Sequence, residues 1–302
     1  MAWNARLISL TLGSDVHCGD RPLGFVARTF PFVPCHIPFF ALVPAAVRLL
    51  GMKDERASYK AVEDLFGTCL RCTPLYIAEE NSPIFPWDEG LRVIESRYLG
   101  SRQGVKLDLR TRSAENGKLF ETEVILATPR RRASGPASSA TKLQGALFWQ
   151  AGRAEGRGGT LSLSENGTLE WNGTSVSLEE ALKNIRLGGD RTRSLGLVAD
   201  VGLSPLPNGV LWNCAFRLDG DWPELSLPAG EKCPLPICRE GAEDERGLPV
   251  ILTGRRYKEK KDGSGGSGLA MDSATPAWQV GWQAPRSMRV SLRFPRAAKA
   301  EE

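Results

Sequence analysis

The apolar and polar positions in the first half of the chain follow two periods, which predict both strands and helices. Residues 6–12 (R-L-I-S-L-T-L) alternate as a half-buried strand does. Residues 38–50 are mostly apolar, with a proline in the first turn and a glycine directly after them, and predict a helix. Residues 105–126 contain two strand-like runs around the turn signal at 116–117 (Asn-Gly) and predict a β-hairpin.

Further elements follow from the same patterns. Residues 57–65 predict a second short helix, and residues 143–150 another strand. Ser177 is a good N-cap for a third helix because Glu180 stands three residues later, as in a capping box. The overall order is strand, helix, hairpin, helix, glycine-rich loop and strand. This order is the βαββαβ plan of a ferredoxin-like or RRM-like α+β fold.

A second unit is predicted to begin after the Pro- and Gly-containing residues 205–209. We therefore predict one domain over 1–203 and a second over 204–302. The strand candidates of the second domain are residues 210–218, 248–253, 278–282 and 287–294. Two segments low in apolar residues are predicted to be mobile loops, namely 128–141 and the Gly/Ser/Lys-rich insertion 258–268. The Pro- and Gly-rich residues 13–24 and 81–90 also predict loops.

The composition favours a folded protein with no membrane segment. The 302 residues are 41% apolar and 25% charged, which argues against wholesale disorder. Prolines and Arg48 interrupt the most apolar stretch, residues 30–50, and the N-terminus lacks the pattern of a signal peptide. We predict a soluble cytoplasmic protein.

The seven cysteines are odd in number and scattered, which is typical of reduced thiols rather than of a disulfide framework. Cys69 and Cys72 form a C-x-x-C pair, and Cys233 with Cys238 forms a looser one, so that the four could in principle bind one zinc ion. The two pairs lie far apart and no histidine stands near either. We therefore favour buried free thiols and predict no cofactor.

Positive charge is concentrated in one part of the chain. Residues 91–160 contain 13 Lys and Arg against 6 Asp and Glu, although the whole chain has a net charge of only +4. A polyanion bound along this region would release counterions, and its affinity would depend on salt. The alternative is a solvated basic surface without a ligand.

The second candidate feature is the run L-G-G-D-R-T-R-S-L-G at 187–196. Glycines allow the backbone to approach a phosphate closely, and Arg191 and Arg193 add guanidinium groups that match phosphate oxygens. The run fits neither G-x-G-x-x-G nor G-x-x-x-x-G-K-[ST], which disfavours dinucleotide-binding and P-loop readings. The alternative is an ordinary helix stop followed by a surface turn.

Four segments resemble the RAMP superfamily (repeat-associated mysterious proteins) of CRISPR effector complexes. Residues 105–124 (V-K-L-D-L-R-T-R-S-A-E-N-G-K-L-F-E-T-E-V) resemble the family's hairpin, and residues 187–197 resemble its C-terminal glycine-rich loop. Residues 17–37 resemble its opening glycine loop and helix start, although Cys35 stands where the family commonly has glycine. Residues 278–282 (W-Q-V-G-W) are similar to a Gly-Trp segment in the second domain of larger members.

The resemblance implies an RRM-like first domain with the hairpin as an insertion, and a second, divergent RRM-like domain rich in strands. It also implies a function, that of a crRNA-binding structural subunit of a type III effector ribonucleoprotein in antiviral defence. The chain looks most like the two-domain subunit of type III-D-like complexes that holds the crRNA 5′ tag. The implied partners are crRNA, target RNA, other RAMP backbone subunits and the large signalling subunit.

The expected RNA contacts combine the basic region with the glycine-rich loop. They are Arg28, Lys106, Arg110, Arg112, Arg130, Arg131, Arg132, Lys142, Gly188, Gly189, Arg191, Arg193, Ser194 and Gly196. The guide's own base pairing would then choose the target.

Two alternative functions stay open at this point. The first is an endoribonuclease that acts on precursor crRNA or on bound target RNA, with Asp15, Asp20 and His17 as candidate catalytic residues. Asp in a glycine-containing loop is ordinary turn chemistry, and a histidine is as well explained by packing, so we favour a protein that is not an enzyme. The second alternative is a scaffold whose contacts are mainly to protein.

Overall fold

The computed structural model of the chain describes residues 2–53, 55–108, 110–111, 113–130, 139–206, 209–212, 214–238, 249–252, 255–259, 265–271, 275–278, 280–284, 286–292 and 299–301. Its α-helices are α1 (His36–Leu49), α2 (Arg56–Cys69), α3 (Glu89–Arg97) and α4 (Leu178–Lys183), and Arg191–Arg193 form a 3₁₀ turn. The strands up to residue 205 are β1 (Asn4–Leu12), β2 (Gly19–Leu23), β3 (Val26–Thr29), β4 (Leu70–Cys72), β5 (Tyr76–Glu79), β6 (Ser82–Pro83), β7 (Leu99–Leu107), β8 (Ala114–Ile125), β9 (Lys142–Trp149), β10 (Gly152–Gly156), β11 (Gly159–Leu163), β12 (Thr168–Trp171), β13 (Thr174–Ser177) and β14 (Val198–Pro205). The later strands are β15 (Val210–Leu211), β16 (Cys214–Arg217), β17 (Glu224–Leu227), β18 (Ile237–Cys238), β19 (Pro249–Leu252), β20 (Arg255–Glu259), β21 (Gly265–Met271), β22 (Thr275–Trp278), β23 (Met288–Ser291) and β24 (Lys299–Glu301).

The central sheet has the strand order β14-β1-β9-β5-β6, with β4 also paired to β9. The pairs β1–β14, β1–β9, β4–β9 and β5–β9 are all antiparallel. Helices α1 and α2 connect β1 to β4, and α4 lies between β9 and β14 in the chain. This is the ferredoxin-like arrangement, and the predicted α+β fold class is confirmed.

Local sequence signals account for the helix ends. The Oγ atom of Ser177 accepts a hydrogen bond from the Glu180 backbone N–H at 3.0 Å, which confirms the predicted N-cap of α4. Helix α1 begins two residues before the predicted start, and Gly51 follows it with a φ of 63°. Helix α2 continues four residues beyond the predicted end at Leu65, because Phe66 and Cys69 are also buried against the core.

The predicted hairpin forms, but its turn and its position differ from the prediction. Strands β7 and β8 pair from Leu99 onward, and they belong to a separate four-stranded sheet of order β2-β3-β8-β7. The chain turns at 108–113 and not at 116–117. The Asp108 side chain accepts hydrogen bonds there from the backbone N–H groups of Arg110 at 2.7 Å and Thr111 at 3.2 Å. This aspartate-capped turn takes the place of the Asn-Gly turn.

Several segments predicted as loops contain regular structure. Strand β2 lies within 13–24, and β6 and the first residues of α3 lie within 81–90. Residues 258–268 were predicted to be a flexible insertion, but β20 and β21 pair across it, with Lys258 opposite Gly266. Backbone hydrogen bonding between the two strands gives residues 258–259 and 265–268 a structure that their composition did not indicate, and residues 260–264 lie outside the described residues. Of the segment 128–141, residues 131–138 lie outside the described residues.

The strands after residue 209 form a five-stranded sheet (β15-β16-β17-β23-β24), a three-stranded sheet (β18-β22-β19) and the pair β20–β21. The described residues of this part are thus rich in strands, as predicted. Strand β22 includes Trp278, residue 279 lies outside the described residues, and residues 280–282 do not form the predicted strand. Strand β14 extends to Pro205, and the division at 203 and 204 stays a prediction.

The two faces of the central sheet pack against different parts of the chain. Ile8 and Leu10 of β1 lie in the cluster formed with α1, α2 and α4. Phe148 of β9 lies in a second cluster with residues of the later sheets, and its ring centroid is 5.1 Å from that of Phe216. Alternate residues of a strand point to opposite faces, so both faces of this sheet are covered. Among the described residues, no helix combines the length and the hydropathy that crossing a bilayer requires.

Candidate nucleic-acid interface

The glycine-rich loop, residues 187–196, is held against the loop that follows β1. The backbone N–H of Gly189 donates to the His17 carbonyl, and that of Gly196 donates to the Asp15 carbonyl, both at 2.8 Å. The base of the loop is closed by a third bond of 2.8 Å, from the Leu187 N–H to the Gly196 carbonyl. Residues 15–17 of the predicted loop 13–24 and the run 187–196 therefore form one structural unit.

Glycine is required at two positions of this unit. Gly188 has a φ of 74°, and a Cβ atom there would lie 2.1 Å from the His17 carbonyl oxygen. Gly196 has a φ of 79°, and its Cβ would lie 1.9 Å from the Leu187 carbonyl oxygen. The sequence suggested that such glycines expose their amides to phosphate, but the amides of Gly189 and Gly196 are already hydrogen bonded within the protein. In this structure, the missing side chains of Gly188 and Gly196 allow the glycine-rich loop to pack closely, at its own base and against the loop after β1.

Arginine side chains emerge from the middle of the loop. Residues 191–193 form a 3₁₀ turn, and the residues on either side of it, Asp190 and Ser194, both adopt left-handed backbone conformations. Arg191 and Arg193 stand at the two ends of this short turn, and each lines a different cavity.

The first cavity, here called the histidine cavity, has a volume of about 530 Å³. It is lined by both histidines of the chain, His17 and His36, by Phe40 of α1 and by Arg186. The glycine-rich loop contributes Gly188, Gly189, Asp190 and Arg191. The His17 Nδ1 atom lies 2.8 Å from the Glu123 carbonyl oxygen. A carbonyl only accepts, so Nδ1 carries the proton and Nε2 is the atom of a neutral ring left to accept a hydrogen bond.

Two cations share the mouth of this cavity. The Nη1 atom of Arg186 donates to the Arg191 carbonyl oxygen at 3.0 Å. Burial, and secondly the charge of Arg186, lower the pKa of Arg191. A bound anion would act against both causes of the lowered pKa. Its negative charge would stabilise the buried Arg191 guanidinium and would offset the repulsion between Arg186 and Arg191. The lining of the cavity thus combines the two guanidinium groups of Arg186 and Arg191 with the carboxylate of Asp190, so that cations outnumber anions.

The second cavity, here called the stacking cavity, lies between the glycine-rich loop and the β7–β8 hairpin. Its volume is about 310 Å³, and its lining residues are Arg102, Gln103, Gly104, Val105, Phe120, Thr122, Asp190, Arg193 and Leu195. The Arg193 guanidinium carbon lies 4.6 Å from the centroid of the Phe120 ring, which is cation–π geometry. The loop and the hairpin, both predicted to contact RNA, thus meet directly at these two side chains.

A second contact joins the same parts of the chain. Asp15, after β1, accepts hydrogen bonds from Arg102 of β7 and from the Ala127 backbone N–H, the latter at 2.8 Å. Its carboxylate is therefore used to attach the hairpin to the central sheet. This gives Asp15 a structural role, whereas the catalytic role considered for it and for Asp20 and His17 stays untested.

The remaining predicted contacts are more dispersed. Arg28 of β3 forms an ion pair with Glu123 at 2.9 Å. Arg130 lines a third cavity together with three glutamates, Glu95, Glu121 and Glu123, which offset its charge. Arg110 is exposed in the hairpin turn, and Lys142 is exposed at the start of β9. Arg112, Arg131 and Arg132 lie outside the described residues, as does the side chain of Lys106.

Several residues of the interface were not predicted as site residues. Arg102, Phe120, Arg186 and His36 all line the two main cavities. Phe120 belongs to the hairpin segment G-K-L-F-E-T-E that was singled out as a motif, so its position was visible although its role was not. Arg186 directly precedes the glycine-rich run, and its charge was the available signal.

The cysteines do not form a metal site within the described residues, where no group of three potential ligands is arranged to hold a metal ion. Cys69, Cys72 and Cys233 are buried thiols without disulfide partners. The first two belong to the cluster around α1 and α2, and Cys233 belongs to the second cluster. The side chain of Cys238 lies outside the described residues.

No protein-family model and no curated protein matches the chain. Among solved structures, it is similar to a chain of type III-B Cmr-beta bound to cognate target RNA and AMPPnP, with 10% identity, a TM-score of 0.43, and coverage of 92% of this chain and 84% of that one. It is also similar to a chain of the Csm3–Csm4 subcomplex in the type III-A CRISPR-Cas interference complex, with 12% identity, a TM-score of 0.36 and 94% coverage of both chains. Similarity at this level carries no argument about function, which has to be argued from the site.

Proposed function

We propose that this chain is a crRNA-binding structural subunit of a type III CRISPR effector ribonucleoprotein and that its two cavities hold the guide. The observation that carries the proposal is the contact of Arg193 with Phe120 at 4.6 Å, which joins the two segments that resemble the RAMP family. Around this contact, guanidinium groups from the loop and from the hairpin face the same surface. A ribose-phosphate strand is the ligand with a matching series of anions.

The covered central sheet supports this location of the binding surface. An isolated RRM binds bases on aromatic residues of its open sheet face. In this chain Phe148 of that face packs against Phe216, and Leu7 packs against the same second cluster. The loop edge beside the sheet, where the cavities lie, is then the surface left for RNA.

Within the guide, we propose that the crRNA 5′ tag is the segment that the cavities bind. A single-stranded segment such as the tag is favoured because the cavities suit a single strand better than a duplex. The histidine cavity is enclosed on several sides by residues of β2, α1 and the glycine-rich loop. An anion recessed among such elements is accessible to a flexible strand more easily than to the backbone of a rigid double helix.

The test is to express the chain with the rest of its complex and to isolate the RNA that copurifies. The expected result is short RNA with a uniform 5′ end. The double variant Arg186→Gln/Arg191→Gln should recover much less of this RNA. For its RNA affinity, the slope of log K against log salt should be shallower by about 1.4, because two phosphate contacts to a single strand are lost. The control variant Lys60→Gln/Arg157→Gln removes the same charge from residues that line neither cavity and should behave as the wild type. Equal RNA recovery with both double variants would contradict the proposal.

The same material distinguishes the alternatives. A ribonuclease would shorten precursor crRNA or target RNA, and His17→Ala, Asp15→Asn or Asp20→Asn would abolish this. We propose that the chain binds without cleavage, so that RNA incubated with the wild type and with each variant is expected to stay intact. A protein scaffold would assemble with its neighbours equally well at low and moderate salt and would carry no RNA of defined length.

A further inference from the structure

We propose that the stacking cavity receives one unpaired RNA base, which stacks on the outer face of the Arg193 guanidinium. This inference rests on the proposed function and specifies it, because it assigns the base-binding position and predicts what kind of base contact is made.

The guanidinium is held as a platform. Its central carbon lies 4.6 Å from the centroid of the Phe120 ring, and its Nη1 atom is 3.6 Å from an oxygen of the Asp190 carboxylate. The Arg193 side chain is nevertheless 57% exposed, so more than half of it is accessible to a ligand. A guanidinium oriented in advance by an aromatic ring loses little conformational freedom when a planar ligand stacks on it.

The hairpin is shaped to allow this arrangement. Gly104 of β7 lies under the Phe120 ring, where a Cβ atom would be 2.3 Å from the ring carbon Cζ. The missing side chain lets the ring lie close to the strand with Arg193 above it. Gly104 lies directly opposite Phe120 in the β7–β8 register, so the packing depends on one cross-strand pair.

The size and lining of the cavity suit a single base. A volume of about 310 Å³ is at the lower end of the range for small-molecule sites. Leu195 and Val105 supply apolar contacts, and the exposed amide of Gln103 can both donate to and accept from a base edge. A paired and stacked base has both faces covered, so only a base that has left the stack can use this site.

The neighbouring histidine cavity supplies the place for the phosphate. Thr122 and Asp190 line both cavities, so the two are adjacent. Arg191 faces the first and Arg193 the second, two residues apart on one 3₁₀ turn. A nucleotide whose phosphate is near Arg186 and Arg191 would therefore direct its base toward Arg193.

Stacking tolerates any base because every base has a π face. At one position of the RNA, affinity should therefore fall when the base is removed but should not change when one base is exchanged for another. The probe is a labelled single-stranded RNA of about 12 nucleotides, which is within the size range of such sites. It is compared with a series of copies that each carry one abasic ribose.

For the wild type, binding should weaken about 5- to 100-fold at one position of the series, as expected for one lost stacking contact. The variant Arg193→Lys keeps the charge and the salt dependence but loses the planar platform. It should therefore bind the copy that is abasic at that position about as tightly as the intact RNA, a change close to onefold. Phe120→Leu should behave in the same way. Arg193 is exposed, so Arg193→Lys tests the inference even if Phe120→Leu does not fold.

The outcomes separate the two proposals. If the wild type binds all abasic copies equally while Arg186→Gln/Arg191→Gln lowers RNA affinity, the stacking site is wrong and the proposed function stands. The stacking site is also wrong if the sensitive position persists in Arg193→Lys. If no RNA is bound at low salt by the wild-type complex, the proposed function itself is overturned.

Discussion

The carboxylate of Asp15 accepts a hydrogen bond of 2.9 Å from Arg102 Nε and forms an ion pair with the same guanidinium, whose Nη2 atom lies 2.8 Å away. The two residues are 87 positions apart, and they join the loop after the first strand to the hairpin. Asp15 is largely buried, whereas Arg102 is about half exposed. The pair therefore attaches one side of the stacking cavity to the central sheet.

We expect Asp15→Asn to lower the free energy of unfolding by roughly 1 kcal/mol, the range for a hydrogen-bonded pair with one exposed partner. Asn can still accept from the Ala127 N–H but no longer pairs with a cation. Arg102→Gln should cost a similar amount. The double variant should cost little more than either one, because both remove the same interaction. Urea unfolding of the three variants measures this, and strictly additive losses would show that the two residues act independently.

Gly188→Ala should be more destabilising than Gly173→Ala. Both glycines have positive φ, 74° and 82°, so both substitutions have a cost of about 1–2 kcal/mol for the left-handed conformation. Only at Gly188 would the new Cβ also collide with the His17 carbonyl oxygen, at 2.1 Å, whereas a Cβ at Gly173 meets no atom within 4 Å.

The collision should displace the glycine-rich loop, so Gly188→Ala should lose RNA affinity while Gly173→Ala keeps it. Thermal unfolding and RNA binding are the two measurements. Equal affinity of both variants for RNA would show that the position of the loop does not matter for binding.

Arg71→Met should destabilise the protein by about 3 kcal/mol or more. Arg71 is 1% exposed, its Nε donates to the Leu292 carbonyl at 2.7 Å, and its guanidinium lies 4.6 Å from the Trp222 ring centroid. Methionine fills much of the volume but leaves the Leu292 carbonyl without this donor. Burial lowers the pKa of Arg71 to about 10, so it is still charged at neutral pH.

Arg71→Lys serves as the control that keeps the charge. Its single ammonium group cannot reproduce the planar contact with Trp222 together with the hydrogen bonds, so a partial loss is expected. A stability of Arg71→Met within about 0.5 kcal/mol of the wild type, the usual range for surface substitutions, would contradict this account of the buried arginine.

Stability should decrease above pH 9. Burial raises the pKa of Cys214 from 9.0 to about 11 and that of Cys233 to about 12, and it raises the pKa values of Cys18, Cys72 and Tyr76 as well. The folded chain thus retains protons that the unfolded chain releases. This contribution to stability is complete below about pH 8.5 and is lost as the pH rises through 11 to 12.

Urea midpoints measured from pH 7 to pH 11 test this prediction, and a midpoint that rises with pH would contradict it. At pH 8 the same buried thiols should react slowly with a disulfide reagent in the folded protein and rapidly in urea. A chelator should leave the midpoint unchanged, because we interpret the cysteines as packed thiols. A lower midpoint in chelator would instead support zinc.

Much of the local structure was predictable because it depends on neighbouring residues. The Ser177 cap, the strand at 4–12 and the helix after residue 36 follow from short-range hydrogen bonding and from the period of apolar residues. The turn of the large hairpin was placed wrongly, at Asn116 instead of at Asp108. The prediction used only the Asn-Gly signal, and the side-chain hydrogen bonds of Asp108 that form the turn appear only in the structure.

The composition of the candidate site was also visible in the sequence, whereas its arrangement was not. Arg191 and Arg193 stood out by their spacing between glycines, but the partner of Arg193, Phe120, is 73 positions away. The sheet to which the hairpin belongs was equally beyond reach of the local pattern. Pairing between distant strands depends on how the whole chain packs, and no local period encodes it.

The amino-acid order alone therefore determined much of the local structure before residue 205, the concentration of basic residues and the two segments to which the candidate site belongs. The tertiary structure decided that the loop and the hairpin share one surface and that Asp15 pairs with Arg102. It also decided that the sheet face that an isolated RRM leaves open is covered in this chain. The physical reason is that propensities and caps act over a few residues, whereas cation–π contacts, ion pairs and cavities require atoms that only the folded chain brings together.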